Sequence, residues 1–454
     1  MSFSGNYRIA VSAGELSGDM HTAMVVQALR RFNPQAEVRG MGGGYLRGAG
    51  VNTVVDSERC AALQGLNIPW LVIRSLGAFL RMVKLLLFWR PHVLVVTDYP
   101  DFNLRLAKIA ARFCGVPVLY YIPPKVWAWR SGRIKTMKKV IDRAALILPF
   151  EKSFYEQHGF EQTLFVGHPF AYTLDPAHLG DFSKDDFIKS LGLDPLKPVV
   201  ALFPGSRSGE IKRHLKRVIA GLECLRTSRP NIQVIVAVAA GIKSNVISAE
   251  IGDREWIKVS NGNNLEIMRC ATAGLLKSGT CNLEAAFLGL PFVCFYIPPR
   301  LTEKIVRALA TIKFSSLVNL IKADAVVELI QDHASPSRIA TELEKVMFDQ
   351  ECRRRVLADL KAVTAELSTH DQYPAFDGCK NAAERTAKLT LELAEKGGLR
   401  HNLKRSLKAF LKPYRYQFFG ALGCMLLFGA SDGLVPFLVK HVLDDVFKNH
   451  DRRM

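Results

Sequence analysis

Short apolar runs alternate with longer segments of helical period through the first part of this chain. The runs "YRIAVSA", "EVRGMG", "HVLVVTD", "PVLYYIP" and "LILPF" favour strands, while "MHTAMVVQALRRF" and "FNLRLAKIAARFCG" favour helices between them. Strands that alternate with helices of this length are typical of βαβ units in a parallel sheet. The segment "TLFVGHP" ends this first series of alternating strands and helices near residue 169.

The same alternation starts again after Pro198. The runs "PVVALFPGSR", "IQVIVAVA", "AGLLKSG" and "PFVCFYI" favour strands, and "EIKRHLKRVIAGLECLR" and "NLEAAFLGL" favour helices. We therefore predict an α/β protein with two doubly wound, Rossmann-like domains that face a cleft. In such folds ligands bind at the carboxyl ends of the parallel strands.

The predicted domain bounds follow from these two series of alternating strands and helices. We predict a first Rossmann-like domain over residues 1–175 and a second over residues 176–365. Helices rich in Ala, Leu, Glu and Lys cover residues 366–398. Residues 399–454 form a basic flank followed by a candidate transmembrane helix.

Two segments have the apolar pattern of membrane contact. Residues 418–439 hold a single charge, Asp432, and are long enough to span a bilayer. The basic residues just before them favour a cytoplasmic flank; a buried C-terminal helix is the alternative. Residues 66–91 are apolar but carry four basic residues. They fit either a helix lying in the membrane interface or a core helix with snorkelling basic side chains.

Charge and cysteine content narrow the range of partners. The net charge is +19, which favours an anionic partner such as a membrane surface or a phosphorylated substrate. No nucleic-acid-binding motif accompanies that charge, so we do not expect a nucleic-acid partner.

The nine cysteines form no C-x-x-C pair and no metal-ligand spacing, so we expect no metal and a reducing compartment. With no signal-peptide pattern at the start, a cytoplasmic location is expected.

Two glycine turns in the second half suit a nucleoside diphosphate. In "FPGSRSGEIKRH", Ser206 and Arg207 follow a strand end, where amides and a planar cation can hold phosphate oxygens. In "LLKSGTCNLEAAFLG", Ser278, Gly279 and Thr280 end a strand and open a helix whose free N–H groups attract phosphate. Each turn alone also fits an ordinary tight turn or helix cap.

A carboxylate one turn into that helix strengthens the nucleotide interpretation. Glu284 can accept both hydroxyls of a ribose because a carboxylate has several lone-pair sites. Two phosphate-type turns on one sheet, one of them followed by a carboxylate, predict a nucleoside-diphosphate site. No Walker lysine motif is present, so ATP hydrolysis is not expected, and neither is a bound cofactor.

The first half carries acids where the second half carries phosphate-type turns. Glu15 and Asp19 lie in "AGELSGD", and Asp98 and Asp101 lie in "VTDYPDFN". These carboxylates would repel phosphate but suit a neutral hydroxyl that must lose a proton to a general base. Asp98 ends the most apolar strand and is a candidate base or a structural polar residue. Asp101 fits a helix cap better.

His168 in "VGHP" closes the first half of the chain. It could donate a hydrogen bond to a phosphate or a hydroxyl near the cleft. A buried structural histidine is the alternative.

Taken together, these motifs resemble lipid A disaccharide synthases, which are inverting glycosyltransferases of the GT-B fold. The resemblance covers about residues 7–395 and is carried by "AGELSGD", "TDYPDFNLRLAK", "VWAWR", "ILPFEKSFYE", "FVGHP", "PGSRSGEIKRH", "KSGTCNLEAAFLGLP" and "SSLVNLI". It implies transfer of 2,3-diacylglucosamine from UDP-2,3-diacylglucosamine to the 6-hydroxyl of 2,3-diacylglucosamine 1-phosphate. The products would be lipid A disaccharide 1-phosphate and UDP.

The resemblance also implies roles for individual residues. It puts Arg207, Ser278, Gly279, Thr280 and Glu284 on the nucleotide side, with no metal required. It puts Glu15, Asp98 and Asn319 at positions important for activity, with Asp98 the favoured base. A domain-swapped homodimer and peripheral attachment to the cytoplasmic side of the inner membrane are further implications.

The chain departs from the family pattern in three places. Met20-His21-Thr22 follow "SGD" where small residues are usual, and Pro123-Pro124-Lys125 replace Ser-Pro-Gln. Cys281-Asn282 stand where Ala-Thr is usual. These departures concern local contacts, including sugar or acyl selectivity, and remove no expected catalytic carboxylate.

The tail resembles a different family. Its sequence is similar to the first transmembrane helix of an ABC exporter of the lipid A flippase type. Two other functions therefore stay open at this point. One is another UDP-sugar GT-B enzyme, an epimerase or a transferase, and the other is an exporter-associated membrane protein with an inactive synthase domain.

Overall fold

The computed structural model describes residues 5–58, 68–128, 130–239, 242, 244–299 and 314–411, without the side chains of residues 68–73, 244–246 and 400–411. The candidate transmembrane segment, residues 418–439, lies outside this part of the chain. Among the helices that are described, none has the length and apolar character needed to cross a bilayer. The chain divides into a compact unit over residues 1–394 and a second unit that begins at residue 395. Both sheets belong to the first unit.

The first sheet has seven parallel strands in the order β3-β2-β1-β4-β5-β6-β7. Its strands are β1 (Arg8–Ala13), β2 (Glu37–Gly42), β3 (Asn52–Asp56), β4 (Val93–Thr97), β5 (Val118–Tyr121), β6 (Arg143–Leu146) and β7 (Thr163–Phe165). The strand order reverses direction between β1 and β4, so the crevice for a ligand lies at the carboxyl ends of these two strands.

Helices cover both faces of this sheet, as the doubly wound prediction requires. They are α1 (Leu16–Phe32), α2 (Gly44–Gly48), α3 (Ile68–Lys84), α4 (Pro100–Ile109), α5 (Ile134–Val140), α6 (Pro149–Gln157) and α7 (Phe170–Thr173). Two π-helical turns, Leu85–Trp89 and Ala110–Cys114, extend α3 and α4. Apolar side chains of α1 pack on one face of the sheet, and those of α3, α4 and α5 pack on the other.

The sequence analysis missed one strand of this sheet and misplaced another. Strand β3 has no counterpart in the predicted strands, since only Val55 of its five residues is fully buried. The run "LILPF" is not a strand, because β6 ends at Leu146 and Pro149 occupies the first position of helix α6. Proline is well suited to that position because it lacks an N–H that would have no partner there.

The second sheet has six parallel strands in the order β10-β9-β8-β11-β12-β13. Its strands are β8 (Val199–Phe203), β9 (Gln233–Val238), β10 (Ile257–Asn261), β11 (Ala273–Lys277), β12 (Phe292–Tyr296) and β13 (Glu328–Ile330). The four central strands match apolar runs in the sequence. The edge strands β10 and β13 were missed because their sequences, "IKVSN" and "ELI", are short and partly polar.

Helices also flank the second sheet, and the chain then returns to the first one. The helices are α8 (Lys184–Ser190), α9 (Ser208–Ser228), α10 (Ser244–Ile251), α11 (Asn264–Cys270), α12 (Cys281–Phe287), α13 (Leu317–Ile321), α14 (Pro336–Phe348), α15 (Gln350–Leu367) and α16 (Ala382–Leu411). Residues of α16 up to Ala394 join the apolar core of the first sheet. The Nη1 atom of Arg385 donates to the carbonyl oxygen of Val166 at 2.8 Å, which fixes this return.

Apolar packing also joins the two halves beside the cleft. Trp127, Leu148 and Phe170 of the first half share a core cluster with Leu276 and Leu283 of the second. This packing sets the distance between the carboxyl ends of the two sheets. It therefore determines which residues of the two edges come within reach of one ligand.

The apolar segment 66–91 forms α3 and the π-helical turn that follows it. Met82 and Leu86 are buried in the core, but Leu76, Leu80 and Phe88 are 55%, 57% and 77% exposed. The helix thus has one core face and one apolar face that points away from the core. The buried face agrees with the core-helix interpretation, and the interfacial interpretation stays a prediction.

Candidate functional site

The backbone is strained where β4 ends at the switch point of the first sheet. Asp98 and Tyr99 have φ values of 48° and 46°, and Ile122, just after the neighbouring strand β5, has a φ value of 53°. Residues other than glycine rarely adopt this left-handed region, and such strain concentrates at functional sites. Helix α4 begins directly afterwards at Pro100. The turn therefore holds the Asp98 carboxylate at the lip of the sheet.

Asn103 holds this strained turn in place. Its Nδ2 atom donates to the carbonyl oxygens of Thr97 at 3.0 Å and Asp98 at 2.7 Å, and its Oδ1 atom accepts from Ser12 Oγ at 2.7 Å. The Tyr120 hydroxyl also donates to the Asp98 carbonyl oxygen, at 2.9 Å. Asn103 is fully buried. Sequence reasoning missed it, because an asparagine inside a helical pattern gave no local signal of this role.

Asp98 is a half-buried acid whose environment raises its pKa. Burial is the main cause, and it outweighs the Tyr99 N–H, at 2.9 Å from Asp98 Oδ1, and the Lys125 charge, which both lower the pKa. Helix α1 begins close by, since a Cβ atom built on Gly18 would lie 3.8 Å from Asp98 Cβ. A carboxyl group with a raised pKa in a cleft is a candidate proton acceptor.

Glu15 is the second carboxylate at this edge. It occupies the N-cap position of α1 but makes no side-chain cap hydrogen bond. Burial and the neighbouring charge of Asp98 raise its pKa, whereas Arg207 and Lys125 lower it. Arg207 belongs to the second sheet, so the cleft brings the acids of one edge within electrostatic range of a cation of the other.

The two remaining acids of the first half have other partners. Asp19 is buried, and its oxygens accept from the N–H groups of Gly43 at 2.6 Å and Tyr45 at 2.9 Å, which caps helix α2. Asp101 lies in the first turn of α4, is 73% exposed, and pairs with Arg133 at 2.6 Å. Neither arrangement is that of a desolvated base.

A cavity of about 300 Å³ lies at the carboxyl ends of β8 and β11 in the second half. Its wall brings together most of the predicted nucleotide-binding residues with several others. The lining residues are Phe203, Gly205, Ser206, Ala237, Ala239, Asn264, Lys277, Ser278, Gly279, Thr280, Cys281 and Glu284. Burial raises the pKa of Glu284. Of this lining, Lys277 is a charged residue that the sequence analysis did not select.

Arg207 lies beside this cavity rather than in its wall. It is the N-cap residue of α9, and its side chain is 82% exposed. Its Nη1 atom lies 4.0 Å from Glu210 Oε1. An exposed guanidinium at a helix start, beside a glycine turn, is free to turn toward an anion in the cleft.

Asn319 does not line the cavity. It is buried, and its Nδ2 atom donates to the Val326 carbonyl oxygen at 2.9 Å and to Glu328 Oε1 at 2.8 Å. The two carboxylate oxygens of Glu328 accept from the N–H groups of Ser315 and Ser316. Ser315 Oγ in turn donates to Ser278 Oγ at 2.9 Å. Asn319 thus contacts the cavity only through this chain of hydrogen bonds.

His168 is buried behind the cleft and does not line the cavity either. Its Nδ1 atom accepts from the Phe170 N–H at 3.1 Å, and its ring stacks on Phe287 of α12. Burial is the main cause that lowers its pKa to about 3. His168 is therefore a neutral residue of the packing between the two halves, which agrees with the structural alternative.

An apolar groove of about 450 Å³ adjoins the strained turn of the first half. Leu76, Phe79, Tyr99 and Phe102 line it. Side chains of α3 form one wall, and Asp101 and Arg105 also belong to the lining. In the described part of the chain, no group of His, Cys, Asp and Glu residues has an arrangement that could hold a metal ion.

Comparison with known proteins agrees with this architecture. The lipid-A-disaccharide synthetase family model matches residues 9–372. The chain is 36% identical over 393 residues to the lipid-A-disaccharide synthase of Geobacter sulfurreducens, a match that covers 86% of this chain and 98% of that one.

Solved structures share the fold at much lower identity. The UDP-GlcNAc 2-epimerase of Neisseria meningitidis, bound to UDP-GlcNAc, matches with a TM-score of 0.55 at 11% identity, over 79% of this chain and 99% of that one. The S. aureus MnaA–UDP structure matches with a TM-score of 0.53 at 12% identity, over 77% and 90% of the two chains. These likenesses support the two-domain GT-B architecture alone. The sequence matches are more specific. They show that this chain belongs to the lipid-A-disaccharide synthase family of glycosyltransferases.

Proposed function

We propose that this chain transfers 2,3-diacylglucosamine from UDP to the 6-hydroxyl of 2,3-diacylglucosamine 1-phosphate. The observation that carries the proposal is the family match over residues 9–372, together with a relative matched over 98% of its length. The products are lipid A disaccharide 1-phosphate and UDP. The strained acidic edge of the first sheet and the cavity of the second supply the two functions that this reaction needs.

The acceptor side of the reaction is assigned to Asp98. Its carboxylate takes the proton of the 6-hydroxyl as the hydroxyl oxygen attacks the anomeric carbon of the donor sugar. A new C–O bond forms on one face, and the C–O bond to UDP breaks on the other, which inverts the anomeric centre. Glu15, beside Asp98, positions the acceptor sugar through its hydroxyl groups.

The donor side is assigned to the cavity at the ends of β8 and β11. The Gly279 N–H already donates to Asn282 Oδ1 at 3.2 Å, so the N–H groups offered to the diphosphate are those of Thr280 and of the first residue of α12. Glu284 accepts the ribose hydroxyls, and Ser206 and Ser278 lie in the same wall. Arg207 stabilises the charge that develops on UDP as it departs. None of these steps requires a metal ion.

Asn319 and His168 act as positioning residues in this proposal. Asn319 fixes Glu328, which holds the Ser315–Ser316 backbone against Ser278. His168 packs between Phe170 and Phe287 and so keeps α12 in place relative to the first half. Substitution of either residue should lower UDP affinity through movement of the cavity wall.

The lipid substrates require access to a membrane surface. We propose peripheral attachment at the cytoplasmic side of the inner membrane through the apolar face of α3, next to the groove lined by Tyr99. Residues 418–439, outside the described part of the chain, provide an additional anchor in this proposal. A homodimer is part of the family expectation that we carry over.

The proposal is tested with purified full-length chain, UDP-2,3-diacylglucosamine and 2,3-diacylglucosamine 1-phosphate. Equal amounts of UDP and disaccharide 1-phosphate should appear, and UDP release should depend on the acceptor. Conversion of UDP-GlcNAc to its 2-epimer in the absence of acceptor would identify an epimerase instead. Absence of turnover with both substrate sets, in a folded protein that binds UDP, would favour the inactive, exporter-associated alternative.

A further inference from the structure

Lys277 ends strand β11 and lines the cavity that the proposed function assigns to UDP. Its side chain is 22% exposed, and its Nζ atom lies 5.1 Å from the centroid of the Tyr296 ring. The nearest carboxylate oxygen is Glu210 Oε2, at 3.7 Å. This distance allows an ion pair but is too long for a hydrogen bond.

The lysine and the glutamate are both left without hydrogen bonds at this contact. Among the residues that the structure describes, Glu210 Oε2 is buried and has no hydrogen-bond partner. Within the described part of the chain, Lys277 Nζ donates no hydrogen bond either. A partly buried ammonium group with unused donors, in the wall of a cavity, is available to a ligand anion.

Glu210 lies directly beneath the first glycine turn. A Cβ atom built on Gly205 would lie 3.2 Å from Glu210 Oε2, and Gly205 has a φ value of 124°, which favours glycine. Glu210 also lies 4.0 Å from Arg207 through its other oxygen. One carboxylate therefore stands between two cations and forms a close hydrogen bond with neither.

Lys277, Arg207 and Glu210 together carry a net charge of +1 beside the Gly205 turn. Without Lys277, the Glu210 carboxylate would cancel Arg207, and a diphosphate would meet a neutral group. With Lys277 present, the three groups keep one positive charge in excess, so an anion can bind one cation while the other stays beside Glu210.

We infer that Lys277 is a further ligand of the donor diphosphate, held beside the cavity by Glu210. The inference rests on the proposed function, since it takes the cavity to be the UDP site. Lys277 then adds affinity for the phosphates but not for the uridine. A purely structural lysine, held by the Tyr296 ring, would affect all ligands of the cavity alike.

Isothermal titration calorimetry of the full chain with UDP, UMP and uridine separates these roles. Lys277→Met should weaken UDP binding about tenfold or more, because it removes a charge-assisted hydrogen bond, and should leave uridine binding unchanged. Lys277→Arg, which keeps the charge, should retain most of the UDP affinity. Lys197→Met is the matched control. Lys197 precedes β8, at the amino ends of the strands of the same sheet, so this substitution should leave the UDP and uridine affinities unchanged.

The UDP and uridine affinities of these variants decide whether Lys277 binds the diphosphate. UDP affinity of Lys277→Met equal to that of the Lys197→Met control overturns the inference and leaves the proposed function intact. An equal loss for UDP and uridine also overturns it, because the lysine then shapes the cavity. If the wild-type chain itself binds no UDP, the proposed function fails and this inference fails with it.

Discussion

The two strand edges that bear the proposed site are built in opposite ways. At the first edge, Asp98 sits on a left-handed backbone, partly buried, with its turn fixed by Asn103. At the second edge, glycine turns leave the backbone open, and Arg207 points into solvent with its side chain 82% exposed. The first edge holds a partly buried acid on a fixed turn, and the second presents an exposed cation.

The difference follows from what each edge has to do. A general base needs a fixed position within hydrogen-bond reach of the hydroxyl and a pKa raised toward the working pH, which burial provides. A diphosphate site has to admit and release a highly charged group, so exposed cations and free N–H groups suit it better. The predictions below test this contrast, from the largest expected effect to the smallest.

The largest effect should come from the base. Asp98→Asn should lower kcat by about 10²–10⁴, because the acceptor hydroxyl then loses its proton acceptor. The UDP dissociation constant should stay within about twofold of wild type, since Asp98 lies on the other edge. Steady-state kinetics and calorimetry measure the two quantities. Asp185→Asn, an exposed change in α8, is the control; near-normal turnover of Asp98→Asn would remove Asp98 from the mechanism.

The next largest effect should come from the residue that holds the strained turn. Asn103→Leu removes the hydrogen bonds to Ser12, Thr97 and Asp98. It should lower kcat about a hundredfold, because a small displacement of Asp98 disrupts its alignment with the hydroxyl. It should also lower the free energy of unfolding by about 1–3 kcal/mol.

A matched variant distinguishes displacement of the Asp98 carboxylate from a general loss of protein stability. Gln233 is a buried side-chain amide at the start of β9, where it bonds to the backbone of Asp194 at 2.7 and 2.8 Å. Gln233→Leu should lower the melting temperature comparably while leaving kcat unchanged at temperatures where it is folded. A similar fall of kcat in both variants would mean that Asn103 contributes to stability alone.

A smaller effect is expected at the open edge. Arg207→Gln should weaken UDP binding about tenfold, in line with the loss of a charge-assisted hydrogen bond, and should lower kcat by a similar factor. Arg229→Gln is the control, because Arg229 caps the other end of the same helix α9. An unchanged UDP dissociation constant in Arg207→Gln would show that the exposed guanidinium does not contact the diphosphate.

The smallest effect concerns Lys125, at a position where the family resemblance implies glutamine. Its charge lowers the pKa of both Asp98 and Glu15, against the larger effect of burial. Lys125→Gln should therefore raise these pKa values. Because the base must be deprotonated to act, the acid limb of the kcat profile should move to higher pH, with little change at alkaline pH.

The pH–rate profiles of wild type, Lys125→Gln and the exposed control Lys135→Gln give this comparison. The limb should move in Lys125→Gln alone. If it stays in place, the Lys125 charge does not act on the base.

Local pattern made much of the fold predictable. Central strands such as β4 and β8 are continuous apolar runs because both of their faces are buried, and the edge strands β3, β10 and β13 were missed because they are short and partly polar. The position of Asp98 was also predictable, since a carboxylate directly after a buried strand must lie at the edge of the sheet. The domain bounds stay predictions, and the tail at residues 418–439 lies outside the described residues.

The sequence by itself therefore determined which residues stand at strand ends, and hence the acidic and phosphate-type edges, because those positions follow from neighbours in the chain. Only the tertiary structure decided that Asn103 holds the Asp98 turn through Ser12, that Lys277 faces Glu210, and that Asn319 and His168 are buried. These contacts join residues far apart in sequence. Their geometry depends on how helices pack on the two sheets, which no local period encodes.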